Sequence, residues 1–149
     1  MSSFIRIYIH YVFSTKYREP LITEELEKRL WPYMAGIARE NNMELITVNG
    51  TEDHVHILLS LPSTITISQA IKLIKGGSSH WIHQIFHDLQ NFAWQIGYGA
   101  FSVNHSDIPQ IINYIKYQKK HHAEQNFKNE FLVLLKKHEI NYNEKYIWE

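Results

Sequence analysis

The chain has 149 residues, no cysteine, and 15 acidic residues against 15 basic ones. Without cysteine it can form neither a disulfide nor a thiolate metal site, so any metal must bind to nitrogen and oxygen atoms. A net charge of zero disfavours binding of nucleic acid by bulk electrostatics, but it does not exclude a local basic cleft. No segment reaches the roughly 20 uninterrupted apolar residues of a membrane span. We therefore expect one cytoplasmic domain spanning residues 1–149.

Strand and helix patterns alternate along the chain. Residues 4–14 are rich in β-branched and aromatic side chains and predict a strand. A helix follows, capped by Thr23, in which Pro32 is expected to produce a kink or a shifted start. Residues 43–48 and 53–62 predict two further strands, joined through an Asn-Gly pair that favours a hairpin.

The second half of the chain continues this alternation. From Thr66 the apolar residues follow helical spacing, and Gly76 and Gly77 within that stretch either end the helix or let a partner come close. A strand with aromatic residues at positions 94, 98 and 101 follows, then a helix for which Asp107 is the expected cap, and a last amphipathic helix. This order predicts an α+β fold, a ferredoxin-like sandwich with a mainly antiparallel sheet packed by helices.

Two histidines lie one residue apart in the third predicted strand, "DHVHILLSLP". Because side chains alternate along a strand, His54 and His56 point to one face, about 7 Å apart, while Val55 and Ile57 point to the other. Two imidazoles so placed can bind one ion, with nitrogen–metal distances of about 2.0–2.2 Å. An isolated His-x-His pair more often consists of partly exposed histidines on a polar sheet face, and two ligands alone make a poor metal site.

A second group of polar side chains lies on the helix that contains "YIKYQ". Its isoleucines at positions 108, 111, 112 and 115 define the buried face. Tyr114 and Gln118 lie one turn apart beside that face, with His121 on the following turn as a secondary site candidate, whereas Tyr117 points almost opposite. Taken alone, a phenol and an amide in this position are also common at an ordinary boundary between a helix and a sheet.

Four segments together resemble a known family. "STKYREP", "DHVHILLSLP", "KGGSS" and "YIKYQKKHH", in this order, are similar to the single-tyrosine HUH transposases of small bacterial insertion sequences, including the REP-associated tyrosine transposases. The resemblance implies that His54, His56 and Gln118 bind a divalent cation, Mg²⁺ or Mn²⁺. It implies that Tyr114 attacks single-stranded DNA and becomes linked to the 5′ end. It also implies DNA with hairpin ends as the substrate, and a homodimer whose composite active sites join the tyrosine helix of one chain to the histidines of the other.

Basic residues close in sequence to these segments are candidates for contacts with DNA phosphates. They are Lys16, Arg18, Lys72, Lys75, Lys119 and Lys120. For each one alone, a solvated surface position is at least as common. As a group, their proximity to the segments that carry the resemblance favours a DNA-binding cleft.

The sequence is compatible with four functions. The first is a transposase that cleaves and rejoins single-stranded DNA, and the second is a domesticated relative that applies the same chemistry to dispersed palindromic repeats. A third is a ferredoxin-like module that binds nucleic acid without catalysis, through aromatic residues exposed on the sheet and without an ordered metal. A fourth is a metal-dependent hydrolase of small phosphoesters, which would never hold a covalent adduct.

Overall fold

A computed structural model of the chain describes residues 2–148, which form one four-stranded sheet and its covering helices. The strands are β1 Ile7–Ser14, β2 Glu44–Gly50, β3 His54–Leu61 and β4 Gly99–Val103. The helices are α1 Glu24–Glu40, α2 Ile67–Ile85, α3 Ile108–Lys116, α4 Gln118–Glu124, α5 Phe127–Lys137 and α6 Glu144–Ile147. Short 3₁₀ turns lie at Lys16–Arg18, His87–Leu89 and His105–Asp107.

The strands lie in the order β2-β3-β1-β4, and each neighbouring pair is antiparallel. With α1 between β1 and β2 and α2 between β3 and β4, this is the ferredoxin-like arrangement that the sequence predicts, and the predicted α+β fold is confirmed. None of the described helices is long and apolar enough to cross a membrane.

The alternation of side chains along the two central strands divides the sheet into two faces. Tyr11 and Phe13 of β1, like Val55 and Ile57 of β3, point into the main core, which α1 and α2 cover. The residues between them point to the opposite face. There the helices α3 and α5 pack on the sheet in two smaller clusters, the first around Tyr8, Leu58 and Ile115 and the second around Val12, Phe101 and Phe127.

The first helix begins where the sequence predicts. The Oγ1 atom of Thr23 accepts a hydrogen bond from the backbone N–H of Leu26 at 3.1 Å, which satisfies one of the unpaired donors at the helix start. The helix then continues as a single element through Pro32 to Glu40. The alternative of a start shifted by Pro32 is therefore wrong.

The two glycines of α2 lie inside the helix and do not end it. A β-carbon at Gly77 would lie 2.9 Å from Cδ1 of Ile37, whereas one at Gly76 would meet no atom within 4 Å. Of the two alternatives drawn from the sequence, close approach is therefore the right one for Gly77, and the partner that comes close is α1 of the same chain.

Three features of the second half differ from what the sequence predicts. Trp94 lies before the last strand, which begins at Gly99, and the residue after β1, Thr15, forms an isolated bridge with Trp94. Asp107 precedes α3, but its side chain makes no capping hydrogen bond. The helix that carries "YIKYQ" is also interrupted, since α3 ends at Lys116 and α4 begins at Gln118, with φ −100° and ψ 28° at Tyr117 between them.

Candidate active site

The histidine pair of β3 is fully enclosed. His54 and His56 point to the same face of the sheet, as the strand period requires, but their exposed fractions are only 1% and 0%. The ring of Phe127 on α5 lies 4.7 Å from that of His54, and the ring of Tyr114 on α3 lies 5.6 Å from that of His56. The alternative of partly exposed histidines on a polar sheet face is therefore wrong, because helices from the end of the chain cover this face.

A buried carboxylate faces both imidazoles. Oε1 of Glu130, on α5, lies 2.9 Å from Nε2 of His56 and 3.2 Å from Nε2 of His54. One ligand atom from each of these three residues lies within 4.8 Å of the other two. Adjacent ligands of an octahedral ion bound at about 2.1 Å lie about 3 Å apart, so the spacing fits a single divalent cation.

Glu130 is not among the site residues predicted from the sequence, because it lies 74 residues from His56 in the chain. A signal for it exists in the pattern of α5. Phe127, Phe131 and Leu134 define the apolar side of that helix, and Glu130 lies on the same side at helical spacing from Phe127. An acidic residue inside an apolar stripe must have a buried partner, which is a reason to search for one.

Gln118 adjoins the same group. Its Oε1 atom lies 3.2 Å from Nε2 of His54, its Nε2 atom donates to Oε2 of Glu130 at 3.4 Å, and the residue is fully buried. Two imidazole nitrogens, a carboxylate oxygen and an amide oxygen therefore converge. This mixed set of nitrogen and oxygen donors fits Mn²⁺ or a similar transition ion better than Mg²⁺, which prefers oxygen ligands alone.

Both histidines are oriented from behind through their Nδ1 atoms. Nδ1 of His54 lies 2.8 Å from Oδ1 of Asp53 and 2.9 Å from Oγ1 of Thr51, and Nδ1 of His56 lies 2.8 Å from Nε2 of His10. A carboxylate behind a histidine fixes the tautomer that leaves Nε2 free to bind a metal. The outer contacts therefore point both Nε2 atoms at Glu130.

The pKa values of the ionisable side chains at this site are shifted from their usual values. Burial disfavours the charged imidazole of His54, but hydrogen bonds to Asp53 and Glu130 outweigh it and raise the pKa of His54 to about 9. Burial lowers the pKa of His56. Burial also opposes ionisation of Glu130, yet its contacts with His54 and His56 hold the pKa of its carboxyl well below the usual range. Without a bound cation, the carboxylate therefore faces one charged and one neutral imidazole.

Tyr114 joins the cluster from α3. Its hydroxyl donates a hydrogen bond to Oε2 of Glu130 at 2.6 Å, and the ring of His121 stacks on its ring at 4.9 Å. Burial and the Glu130 carboxylate raise the pKa of the Tyr114 phenol. Tyr117 is 52% exposed, and it lies in the break between α3 and α4. One chain thus brings its own Tyr114, Gln118 and histidine pair together.

A cavity of about 380 Å³ opens beside the phenol. It lies between the sheet and the helices α3 and α5, and its lining includes His10, Phe101, Tyr114, Glu130 and Leu134. The candidate nucleophile is therefore within reach of a ligand that enters between these helices.

The six basic candidates do not gather in one cleft. Lys72 and Lys75 lie on α2, which covers the opposite face of the sheet, and both line a different cavity of about 490 Å³. Nζ of Lys75 donates to the backbone oxygens of Gln95 and Gly97 at 2.7 and 2.9 Å, and Nζ of Lys119 donates to Oε1 of Glu27 at 2.6 Å.

The remaining basic candidates are Lys16, Lys120 and Arg18. Lys16 and Lys120 are exposed, and the guanidinium of Arg18 lies 5.4 Å from the ring of Trp148. Because Trp148 packs with the cluster that contains Phe127, Arg18 lies on the histidine side of the sheet.

A ferredoxin-like sheet with a His-x-His strand and an adjoining tyrosine helix defines the class of single-tyrosine transposases, which are DNA-processing enzymes. The chain belongs to the IS200-like transposase family, whose sequence model matches residues 3–118. The resemblance drawn from the four sequence segments is thereby confirmed. Glu130 lies outside the matched segment.

Individual relatives agree with this assignment. The ISDra2 transposase TnpA of Deinococcus radiodurans is 29% identical over 114 residues, which cover 73% of this chain and 81% of that protein. The transposase for insertion sequence element IS200 of Salmonella typhimurium is 27% identical over 114 residues, 73% of this chain and 74% of that protein.

Two solved structures share the fold. A crystal structure of a putative transposase from Deinococcus radiodurans has a TM-score of 0.66 at 26% identity, covering 79% of this chain and 95% of that one. A REP-associated tyrosine transposase bound to a REP hairpin has a TM-score of 0.61 at 19% identity, covering 82% of this chain and 74% of that one.

Proposed function

We propose that the protein is a metal-dependent transposase that cleaves and rejoins single-stranded DNA through a covalent phosphotyrosine intermediate. The observation that carries this proposal is the convergence of Tyr114 with His54, His56 and Glu130 on one buried face. A phenol beside a set of metal-ligand side chains, next to an open cavity, suits nucleophilic attack on a phosphodiester.

The reaction needs no nucleotide cofactor. Oη of Tyr114 loses its proton as it attacks the phosphorus atom, and a phosphotyrosine bond to the 5′ end forms. The 3′ oxygen leaves with the electron pair of the broken bond and takes up a proton, so the step releases no net proton. Attack by a 3′ hydroxyl reverses these changes and rejoins the strands, because the phosphotyrosine conserves the energy of the phosphodiester.

His54, His56, Glu130 and Gln118 would hold the cation. When bound, it would act as a Lewis acid that offsets the charge of the phosphate oxygens and favours the ionised phenol. This help is needed, because a phenol has an unperturbed pKa of about 10 and this site raises the pKa of Tyr114 further. Imidazole ligands favour Mn²⁺ over Mg²⁺, so we expect tighter binding of manganese.

The substrate that we propose is single-stranded DNA with hairpin ends. The family membership supports DNA as the partner, and the REP-associated transposase of similar fold is bound to a hairpin. A domesticated relative that acts on dispersed palindromic repeats would use the same site and chemistry. Copies of the flanking hairpins duplicated elsewhere in the genome would favour the mobile element over the domesticated form.

The proposal is tested by incubating the protein and Mn²⁺ with hairpin-bearing single-stranded oligonucleotides from the flanking DNA. We expect a covalent protein–DNA product on a denaturing gel, dependent on metal. Binding without any adduct would favour the non-catalytic module, and release of phosphate from small phosphoesters without an adduct would favour the hydrolase.

We propose that this active site is complete within one chain, although the family resemblance led us to expect a homodimer with composite sites. The reason is that Tyr114 already contacts Glu130, and packs on His56, of its own chain. A mixture of Tyr114→Phe and His54→Gln variants distinguishes the two arrangements. A composite site would regain adduct formation in mixed dimers, whereas a site within one chain stays inactive in the mixture.

A further inference from the structure

The two carboxylate oxygens of Glu130 face different partners. Oε1 faces Nε2 of His54 and of His56, at 3.2 and 2.9 Å, and Oε2 accepts the hydrogen bond of the Tyr114 hydroxyl at 2.6 Å. The residue lies on α5, beyond the segment 3–118 that the family shares.

We propose that Glu130 is a positioning residue for the nucleophile, which holds the Tyr114 hydroxyl beside the metal ligands through the oxygen that does not face the histidines. The inference rests on the proposed function, since it assigns a role within that reaction. It makes helix α5 part of the cleavage machinery and not merely a cover for the sheet.

The carboxylate is held firmly enough to position another group. Asn126 caps α5 by accepting a hydrogen bond from the N–H of Asn129 at 2.9 Å, and Phe127 in the first turn is 2% exposed against the ring of His54. Glu130 itself is only 5% exposed. A buried carboxylate without partners is strongly disfavoured, so this side chain has little freedom to leave its present contacts.

The position of the Tyr114 hydroxyl depends on this contact. Oη of a tyrosine lies on the axis of χ2, so its position depends on χ1 and on the backbone. Ring packing, here against His121 and His56, restrains that oxygen less directly than a bond to the oxygen itself. A charge-assisted hydrogen bond of 2.6 Å restrains it directly. Displacement of a reacting atom by about 1 Å can slow a reaction by about 10²-fold, so a loss of this bond has a measurable consequence.

A role in metal binding must be separated from a role in positioning, because Glu130 has contacts for both. The variants are Glu130→Gln, which keeps the shape and removes the charge, and Glu130→Asp, which retracts the carboxylate. Glu44→Gln, on an exposed position of β2, is the matched control. For each protein the rate of adduct formation with a hairpin oligonucleotide is measured as a function of Mn²⁺ until it reaches a plateau.

A positioning role predicts that the plateau rate of Glu130→Gln is about 100-fold below that of the wild type, while the affinity for the oligonucleotide is unchanged. Glu130→Asp should have an intermediate plateau, and Glu44→Gln should match the wild type. If Glu130→Gln needs more manganese but reaches the wild-type plateau, Glu130 is a metal ligand only and the inference is overturned. A faster plateau would also overturn it, because the hydrogen bond would then restrain the phenol from attack.

A measurement without DNA separates this inference from the proposed function. The effects of Glu130→Gln and Tyr114→Phe on thermal unfolding should be non-additive in the double variant, since one change removes the charge from this hydrogen bond and the other removes its donor. Additive shifts would overturn the inference, because the two side chains would then act independently. A wild-type protein that forms no adduct with any oligonucleotide overturns the proposed function, whereas equal plateau rates for the wild type and Glu130→Gln overturn only the role of Glu130.

Discussion

Nε2 of His10 on β1 lies 2.8 Å from Nδ1 of His56 on the neighbouring strand β3. The two candidate metal ligands are therefore oriented by different groups, His54 by the carboxylate of Asp53 and His56 by a second imidazole. Burial and the nearby His56 hold the pKa of His10 well below its usual value, so His10 is neutral and can accept a hydrogen bond at Nε2. In that arrangement Nδ1 of His56 donates and its Nε2 is free for a metal.

Replacement of His10 by phenylalanine should weaken metal binding without removing a ligand. The ring volume is kept, but Nδ1 of His56 loses its partner, and loss of such an outer contact lowers metal affinity by about 10–100-fold. Calorimetric titration with Mn²⁺ measures the change, and His80→Ala, at an exposed position of α2, is the control. Equal affinities of His10→Phe and the wild type would show that His56 needs no support from β1.

Replacement of both His54 and His56 by alanine should abolish adduct formation and also destabilise the fold. On a polar, partly exposed sheet face the fold would tolerate this change, but both histidines are buried against Glu130. Removing the partners of a buried charge costs about 3–5 kcal/mol of unfolding free energy. Urea denaturation measures this loss, and a further Glu130→Leu change should restore part of it. A double variant as stable as the wild type would show that the carboxylate finds other partners.

The neighbouring glycines of α2 provide a matched pair for helix stability. Gly76→Ala adds a methyl group in open space inside a helix, so unfolding free energy should rise by about 0.5–1 kcal/mol. Gly77→Ala gains the same helix propensity but presses on Cδ1 of Ile37, so its net effect should be smaller or destabilising. Thermal unfolding checks the difference. Equal gains at both positions would mean that Ile37 moves aside without cost.

Lys75 should make the unfolding free energy depend on pH in the alkaline range. Burial lowers the pKa of Lys75 to about 8, whereas the pKa of a lysine in an unfolded chain is about 10.4. Between these values the unfolded chain binds more protons than the folded one, so the unfolding free energy should rise with pH across the interval. Lys75→Met should remove this component, and the difference between the two proteins measures it. If the unfolding free energies of the two proteins vary with pH in the same way, the carbonyl oxygens around Nζ offset the effect of burial on the pKa of Lys75.

The sequence predicts the fold because the signals that determine it are local. The period of two along β3 places Val55 and Ile57 in the main core and both histidines on the other face. The isoleucine stripe of α3 correctly identifies the side that packs on the sheet, with Ile115 fully buried and its other members partly buried. That stripe is enough to put Tyr114 near the histidines and Tyr117 away from them.

The features that the sequence misses depend on contacts distant in the chain. The burial of the histidines results from α5, whose position over β3 no local period specifies. Glu130 reaches His56 across 74 residues. Lys119 illustrates the same limit, because its ion pair with Glu27 joins α4 to α1, and from the sequence alone such a lysine cannot be distinguished from one that is free to bind a phosphate.

The two tyrosines of the α3 segment should behave differently when each loses its hydroxyl. Tyr114→Phe removes the candidate attacking oxygen and one donor to the buried Glu130, so adduct formation should vanish and unfolding free energy should fall by about 1–3 kcal/mol, while hairpin binding survives. Tyr117→Phe should leave adduct formation and stability close to those of the wild type, because that side chain is 52% exposed.

For the phenol of Tyr117 to reach the histidines, α3 would have to rotate by about half a turn and expose Ile115, and leaving such a side chain in water costs about 1.5–3 kcal/mol. Peptide mapping of the trapped adduct decides between them. DNA on Tyr117, or an adduct formed by Tyr114→Phe at the wild-type rate, would contradict both the helix-face argument and the role carried over from the family.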